Sequence, residues 1–502
     1  MKYICLDVGT SGLKAVIFDE MGNMIDKSYK SYNIITKNGV IELNPDDVWN
    51  AAVYALREVS ARCMGKNEIK ALVVSSFGEA CVPVDSKGYI LANSILAMDA
   101  RGKEELKAIT SKLDEDKILR ITGLPLNSTY TINKILWMKN NDYDTYKKVW
   151  KFLLYQDFIH YKLCGQAVTE YSLASRTMAF DIGKKVWSKN ILEIAGIEEE
   201  LFSRVIPSGS IISDSISNAV AEELNLPKSI MVISGGHDQP CSALGAGMIK
   251  EGCAVDSIGT SECVTAVLNS RIPDDIIKNY NFPCEPFIEA DKYNTMAYIH
   301  TAGILLKWYL KVFNANYREA AAGGNTSLYQ FFDEKCPEDP TDLFVLPHFA
   351  GAGTPFMNSF SKGAIYGLQL GTTREEIYKA IIEGINYEMS INIEYLKKAG
   401  INVSKLVAVG GGSMSKTLLQ IKADILGMEI KTLECNEAAA LGNAVLAAKA
   451  VGEYKDAEEA VKSMVRIKDT VYPKQNNLQR YQYRYDKYKT ILVQLKDINN
   501  AM

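Results

Sequence analysis

The 502-residue chain lacks the signatures of several protein classes at once. None of its ten cysteines forms a CxxC pair, so neither a zinc ribbon nor a thioredoxin-like site is indicated. Buried, reduced thiols in a cytoplasmic protein are the expectation. Histidine is scarce. His160, His300 and His348 have no metal-ligand spacing and are read as structural. No apolar run reaches the roughly eighteen residues that a transmembrane helix needs, so no membrane partner is expected. The opening MKYICLDVG carries one Lys and only four apolar residues before Asp7, which reads as a strand rather than a secretory leader. Charge of one sign is not in excess. A formal net charge of -4 offers nucleic acid no global attraction, so an anionic ligand must be held by local features. The GxxxxGK[ST] phosphate loop and any low-complexity linker are also missing.

What is present is an ordered α/β pattern, with 47% hydrophobic and 23% charged residues. The length exceeds one ordinary core and calls for two large domains. Tyr3-Ile4-Cys5-Leu6 and Ala15–Asp19 are apolar runs joined by Gly9-Thr10-Ser11-Gly12, a β-hairpin pattern. A third strand is expected near Met24–Tyr32, and Ala71–Ser75 reads as a buried strand. Pro45–Met64 reads as a helix capped by Asn44. The pattern then restarts. Met231–Ser234 runs into Gly235-Gly236-His237-Asp238, and Ala254–Ile258 runs into Gly259-Thr260-Ser261. Helices are expected over 302–313, 373–399 and 413–427, and a surface helix over 475–499. The restart puts a boundary near 240–250, dividing the chain into 1–245 and 246–502. A strand ending in Gly-Thr-Ser in each half suggests a duplicated domain with a cleft between the copies.

Three glycine turns offer the chemistry. In Asp7–Lys14, glycines let backbone N–H groups approach a polyphosphate, the hydroxyls of Thr10 and Ser11 can donate to its oxygens, and Lys14 adds a charge. Asp7 could hold Mg2+ through water. A plain hairpin turn explains this segment equally well. Gly259-Thr260-Ser261 repeats the offer. Gly410-Gly411-Gly412-Ser413 stands between a buried strand and a helix, where a flat base and an anion are accommodated. Asp238 follows a buried strand and can take the proton of an attacking hydroxyl, although an Asp there also suits capping of a helix over Cys241–Met248. Glu79, Asp99 and Arg101 lie beside apolar runs, where a polyol could be bonded; surface salt bridges are the plainer reading of all three.

Read together, these segments resemble the FGGY carbohydrate kinases, of the superfamily that includes sugar kinases, heat-shock ATPases and actin. DVGTSGLKA resembles the first phosphate loop, Asn133–Met138 the K-x-x-W helix, and Thr169–Thr177 the T-D-Y-S-x-A-S-R-T segment. GGHDQ, the stretch Gly351–Leu368, and Gly410–Ser413 with Gln420 and Asp424 complete six motifs in family order. The resemblance implies two ribonuclease H-like domains of the actin and hexokinase type around a catalytic cleft. It implies an ATP-dependent kinase of a small sugar, with Mg2+ at Asp7 and Asp238, and Asp238 as general base. Thr10, Ser11, Lys14, Gly259 and Thr260 would face phosphates. Gly303, Gly411, Gly412 and Ser415 would line the adenosine pocket. Sugar would lie near Glu79, Asp99, Arg101, Asp238 and Gln239. A homodimer is left open.

The departures bear on substrate. Glycerol kinases carry Arg-Glu where this chain has Gly78-Glu79, and xylulokinases carry Gln-Met-His-Gly in place of Phe77-Gly78-Glu79-Ala80. Gly78 is expected to leave room for a longer sugar. A ketopentose is the first choice; a tetritol, a deoxy-hexulose or an aldonate is the alternative. A non-catalytic sugar- and nucleotide-binding regulator of the same fold, or a chaperone-like ATPase, would be a different class.

Overall fold

In the computed structural model, residues 1–37, 39–65, 68–313 and 327–501 are described. Two mixed sheets organise them. The six-stranded sheet runs Ile211–Ser213, Met231–His237, Ile69–Ser76, Lys2–Val8, Gly12–Asp19, Met24–Ser31. The seven-stranded sheet runs Glu285–Pro286, Tyr293–Ile299, Glu262–Leu268, Cys253–Ile258, Lys405–Val409, Ile430–Leu433, Ile467–Val471. In each, an antiparallel three-strand meander is extended by two parallel strands and closed by an antiparallel edge. Lys2–Val8 in the first sheet thus corresponds to Cys253–Ile258 in the second. The duplication suggested by two Gly-Thr-Ser turns is present as topology.

The strands form because their residues are apolar on both faces. Ile4, Leu6, Leu13, Ala15 and Ile17 pack outward beneath the helix Pro45–Arg62, whose first turn is capped by Asn44 at 3.0 Å from the Asp46 amide. Tyr3, Cys5, Val16 and Phe18 point the other way. They share one core with Val255, Val267, Val407 and Val409 of the second sheet, so the two halves are joined by apolar packing.

Between the sheets lie two helices, Asp238–Gly245 and Ala438–Ala450. They touch backbone to backbone at glycines. A Cβ on Gly442 would stand 2.0 Å from the Cys241 carbonyl oxygen, and one on Gly245 would stand 1.9 Å from that of Ala438. Asn443 continues the contact into the first sheet, donating to the Ser75 hydroxyl at 2.9 Å.

Two expectations are corrected. The helix placed over 413–427 begins at Lys416; a 3-10 turn, Gly411–Met414, precedes it, because Gly410 turns the chain with φ +82°. The C-terminal helix, Gln475–Ala501, is not simply a surface helix. Tyr481, Tyr485 and Tyr488 are buried, and their hydroxyls donate to Glu383, Glu394 and Glu388 at 3.0, 2.8 and 2.7 Å. Among the described residues no helix is long and apolar enough to cross a membrane.

Candidate active site

The two Gly-Thr-Ser turns both close hairpins but differ in length, since four residues link Val8 to Leu13 and three link Ile258 to Glu262. The Gly9 amide donates to the Gly12 carbonyl at 2.9 Å, and the Gly259 amide to the Ser261 carbonyl at 2.9 Å. Each closes an antiparallel hairpin and leaves its Thr and Ser partly or fully exposed. The first turn is tied down by Tyr32, whose hydroxyl donates to the Gly9 carbonyl. The second is tied by Gly303, whose amide donates to the Gly259 carbonyl at 3.0 Å. A Cβ on Gly303 would stand 2.4 Å from that same oxygen, so only glycine permits the approach.

Asp7 lies in the first strand opposite Lys14. Burial raises its pKa against the pull of Lys14, and the Ser75 hydroxyl donates to its Oδ1 at 3.3 Å. Lys14 does not stand free. Its ammonium is 2.8 Å from Glu437, a carboxylate at the start of the helix Ala438–Ala450, which also takes Lys27 at 3.1 Å.

Asp238 is the first residue of the helix Asp238–Gly245, not the cap of a later one. His237 occupies the capping position and makes no side-chain cap bond. Asp238 Oδ1 is buried without a hydrogen-bond partner, although His237 Nε2 approaches to 3.3 Å. Burial, followed by the charges of Asp7 and Glu79, pushes the Asp238 carboxyl up to about 7, against the Gln239 amide and Arg176. Burial and Arg176 hold His237 well below its usual value, so it is neutral. Gln239, in the same helical turn, leaves its Oε1 buried and unpartnered.

The segment Thr169–Thr177 explains how this corner is held. Glu170 caps the short helix Tyr171–Ser175, accepting from the Ser172 and Leu173 amides at 2.8 and 2.6 Å. The Ser172 hydroxyl accepts from the His237 amide at 2.9 Å, which fixes the strand end before Asp238. Arg176, just past the helix, donates Nε to Glu79 Oε1 at 2.7 Å, and its Nη2 and Nη1 pair with Glu79 and Glu285. Its guanidinium lies 5.3 Å from the centre of the Tyr130 ring.

This corrects the reading of Gly78. The space is not open, because Arg176 passes over it. A Cβ at residue 78 would stand 2.9 Å from Arg176 Cγ. A guanidinium is present in this corner after all, but a distant segment supplies it. Arg176 falls within the Thr169–Thr177 segment, and Glu285 falls within none of the six motifs. Its signal in the sequence is one acid within the apolar stretch Phe282–Ile288.

Asp99 and Arg101 satisfy each other. Arg101 meets both Asp99 oxygens, at 2.8 and 2.7 Å, and also Glu42 at 2.8 Å. Asp99 further accepts from the Ile41 amide at 2.6 Å. Burial would raise the Asp99 carboxyl, but these bonds outweigh it and hold it at about 2. The pair is a largely buried ion pair that also takes in Glu42. The helix Thr131–Asn141 connects it to Glu79: Thr131 donates to the Glu79 carbonyl at 2.6 Å, and Lys134 to that of Asp99 at 2.9 Å.

On the second domain a cleft of about 940 Å³ is lined by Thr260, Gly303, Gly411, Gly412, Ser415 and Asp333, among others. Gly411 has no atom within 4 Å of where its Cβ would be, so its face is open, while Gly412 is packed on Ile258. Ser415 caps the helix Lys416–Leu426 through the Leu418 amide at 3.0 Å and donates to Asp333 at 2.6 Å. Gln420 and Asp424 do not line this cleft. They bond each other, and Asp424 accepts from Lys474 and Asn477 at the root of the C-terminal helix.

The chain matches the models for the FGGY family of carbohydrate kinases, the N-terminal domain over residues 2–245 and the C-terminal domain over residues 254–451. It is 30% identical to the xylulose kinase of Bacillus subtilis, covering 100% of this chain and 99% of that protein. It is 27% identical to glycerol kinase 2 of Thermotoga maritima over 97% of this chain and 98% of that one. A solved xyloylose kinase from Brucella ovis superimposes with a TM-score of 0.88 at 25% identity, covering 99% of this chain and 100% of the other.

Proposed function

From the chain's membership of the FGGY family of carbohydrate kinases, which makes it an ATP-dependent sugar kinase, we propose that it phosphorylates a hydroxyl of a neutral ketopentose, xylulose first. The observation that carries this reading is the partly buried Asp238 carboxyl, its Oδ1 buried and unpartnered, pushed up to about 7. A group of that pKa accepts a proton at neutral pH and releases it again.

In this reading Asp238 takes the proton from the sugar hydroxyl as that oxygen attacks the terminal phosphorus of ATP. Burial first, and then the carboxylates of Asp7 and Glu79, make Asp238 a better acceptor than an isolated carboxylate. Thr10, Ser11 and the backbone of the first turn hold the terminal phosphates from one side, and Gly259 and Thr260 from the other. Gly303, Gly411, Gly412 and Ser415 receive the nucleoside. Lys14 reaches a phosphate once it leaves Glu437. Transfer of this kind asks the protein mainly for alignment and charge neutralisation.

The donors also fit Mg2+. That ion prefers one or two carboxylates with water and phosphate oxygens over an all-protein cage. Asp7 and the orphaned Oδ1 of Asp238 are such oxygens, and no group of three metal-ligating side chains occurs among the described residues. When bound, Mg2+ neutralises the phosphate charge. Residues 1–245 then form the sugar side and 246–502 the nucleotide side, and the cytoplasm, where ATP is at hand, is the place of action.

ADP release measured with ATP and a panel of xylulose, ribulose, gluconate and glycerol tests the reading. Xylulose-dependent release is expected. Release that ignores sugar, or no release with any sugar, overturns it.

A further inference from the structure

The corner around Asp238 is crowded with carboxyl groups. Asp7, Glu79, Glu285 and Asp238 converge there around the guanidinium of Arg176. Arg176 is not available as a free positive charge, because Glu79 and Glu285 both hold it. The other cations to which the sequence pointed are also committed, Lys14 to Glu437 and Arg101 to Asp99 and Glu42. Glu79 uses only Oε1 on Arg176. Its Oε2 takes no hydrogen bond among the described residues, and the side chain keeps 12% of its surface exposed. Asp238 keeps 27%. The Glu79 backbone is held at φ +67°, a conformation that non-glycine residues seldom adopt. Its carbonyl is fixed there by Thr131.

Building on the kinase reading above, we propose that the Arg176–Glu79–Glu285 cluster sets the substrate class by charge, admitting neutral polyhydroxylated sugars and rejecting aldonates. A free carboxylate oxygen is an acceptor only, so it bonds a hydroxyl and repels another carboxylate. Arg176 is the positioning residue. It holds Glu79 in place through Nε and Nη2, while Glu285 takes Nη1 from the buried side. A substrate carboxylate would meet the acceptor Oε2 of Glu79 in a half-buried corner where Arg176, Lys14 and Arg101 are already paired with carboxylates. The relatives make this a real choice, since a gluconokinase from Bacillus subtilis is 24% identical over 92% of this chain.

The test is kcat/KM for xylulose and for gluconate, in the wild-type enzyme, in Glu79→Gln and in Arg176→Lys. In the wild type, xylulose is expected to exceed gluconate by about 10³-fold. Glu79→Gln, which keeps the shape but removes the charge, is expected to narrow that ratio by about 10-fold or more, partly by raising kcat/KM for gluconate. A merely structural defect would lower both substrates alike and leave the ratio unmoved. Arg176→Lys keeps a cation beside both acids and should retain the xylulose preference at reduced kcat/KM. Thermal unfolding and ADP binding of each variant establish that it is folded. A wild type that uses gluconate as well as xylulose, or a folded Glu79→Gln with an unchanged ratio, overturns the charge filter. Loss of turnover with every sugar in the wild type would instead sink the kinase reading itself.

Discussion

Asp238 owes its titration to its neighbours. Burial disfavours its charge, and Asp7 and Glu79 add repulsion, so its carboxyl rests at about 7 rather than in the ordinary acid range. The form that accepts a proton is the ionised one, and its fraction grows as pH rises through the raised pKa. Activity should therefore fall on the acid side of about pH 7, by about tenfold per pH unit at the limit. A kcat/KM profile that stays flat from pH 8 down to pH 5 would refute the assignment. Asp238→Asn should keep ADP binding and lose about 10²–10⁴-fold in kcat, the usual worth of a positioned base. Near-wild-type turnover in that variant would equally remove Asp238 from the mechanism.

At the scale of elements, close backbone approaches do most of the positioning. The helix Gly303–Phe313 starts against the second Gly-Thr-Ser turn because residue 303 has no side chain. Gly303→Ala must displace the Gly259 carbonyl, and with it the amides offered to phosphate. The expected result is a KM for ATP raised by about tenfold or more, with the sugar KM little changed, since a 1 Å misplacement costs on the order of 10²-fold. Steady-state kinetics with each substrate varied in turn would decide it, and equal shifts in both KM values would point to a global defect. The C-terminal helix depends on side chains instead. Tyr488 is 1% exposed and donates to Glu388, which also accepts from His348 at 3.0 Å. Tyr488→Ala should cost about 3–5 kcal/mol of stability, as large aromatic deletions do. Denaturant unfolding measures that cost, and a loss below about 1 kcal/mol would show that the helix is not held this way.

The whole molecule is two similar sheets sharing one core, with the helix that begins at Asp238 lying on a helix from the other half. Thr10 and Thr260 sit at equivalent turns of the two sheets. If one nucleotide spans them, nucleotide and sugar together should draw the halves closer and exclude water before transfer. Small-angle scattering should then show a smaller radius of gyration with both ligands than with neither. An unchanged radius, with binding confirmed, would count against closure. The helix pair through which the halves meet tolerates no added atoms. Gly442→Ala places a Cβ 2.0 Å from a backbone oxygen. It should destabilise by about 1–3 kcal/mol and also reduce kcat, because the displaced helix carries Asp238. Unaltered melting and turnover would show that the contact relaxes freely.

Much of this protein was legible from local pattern alone. Strands buried on both faces read as continuous apolar runs, and hairpins and caps announce themselves through Gly, Thr, Ser and Asn at short range. Hence Lys2–Val8, Gly12–Asp19, the helix Pro45–Arg62 and both Gly-Thr-Ser turns lay where the residues put them. The order of six short motifs was enough to recognise the family, because motif order is a property of the chain itself. What the chain order hides is any pairing across it. Arg176 lies 97 residues from Glu79 and 109 from Glu285, so nothing local marks the guanidinium that covers Gly78. Lys14 looked free for phosphate because Glu437 is 423 residues away. For Asp99 and Arg101 a salt bridge was the plainer reading, but its further partners, Glu42 and the Ile41 amide, reach them only in the folded state. The C-terminal helix looked like a surface helix because its tyrosines meet buried glutamates of another helix only after packing. Side-chain type and spacing determined the elements, the turns and the chemistry on offer. Tertiary contact decided which charges are spent and which are free, because electrostatic pairing depends on distance in space and not on distance along the chain.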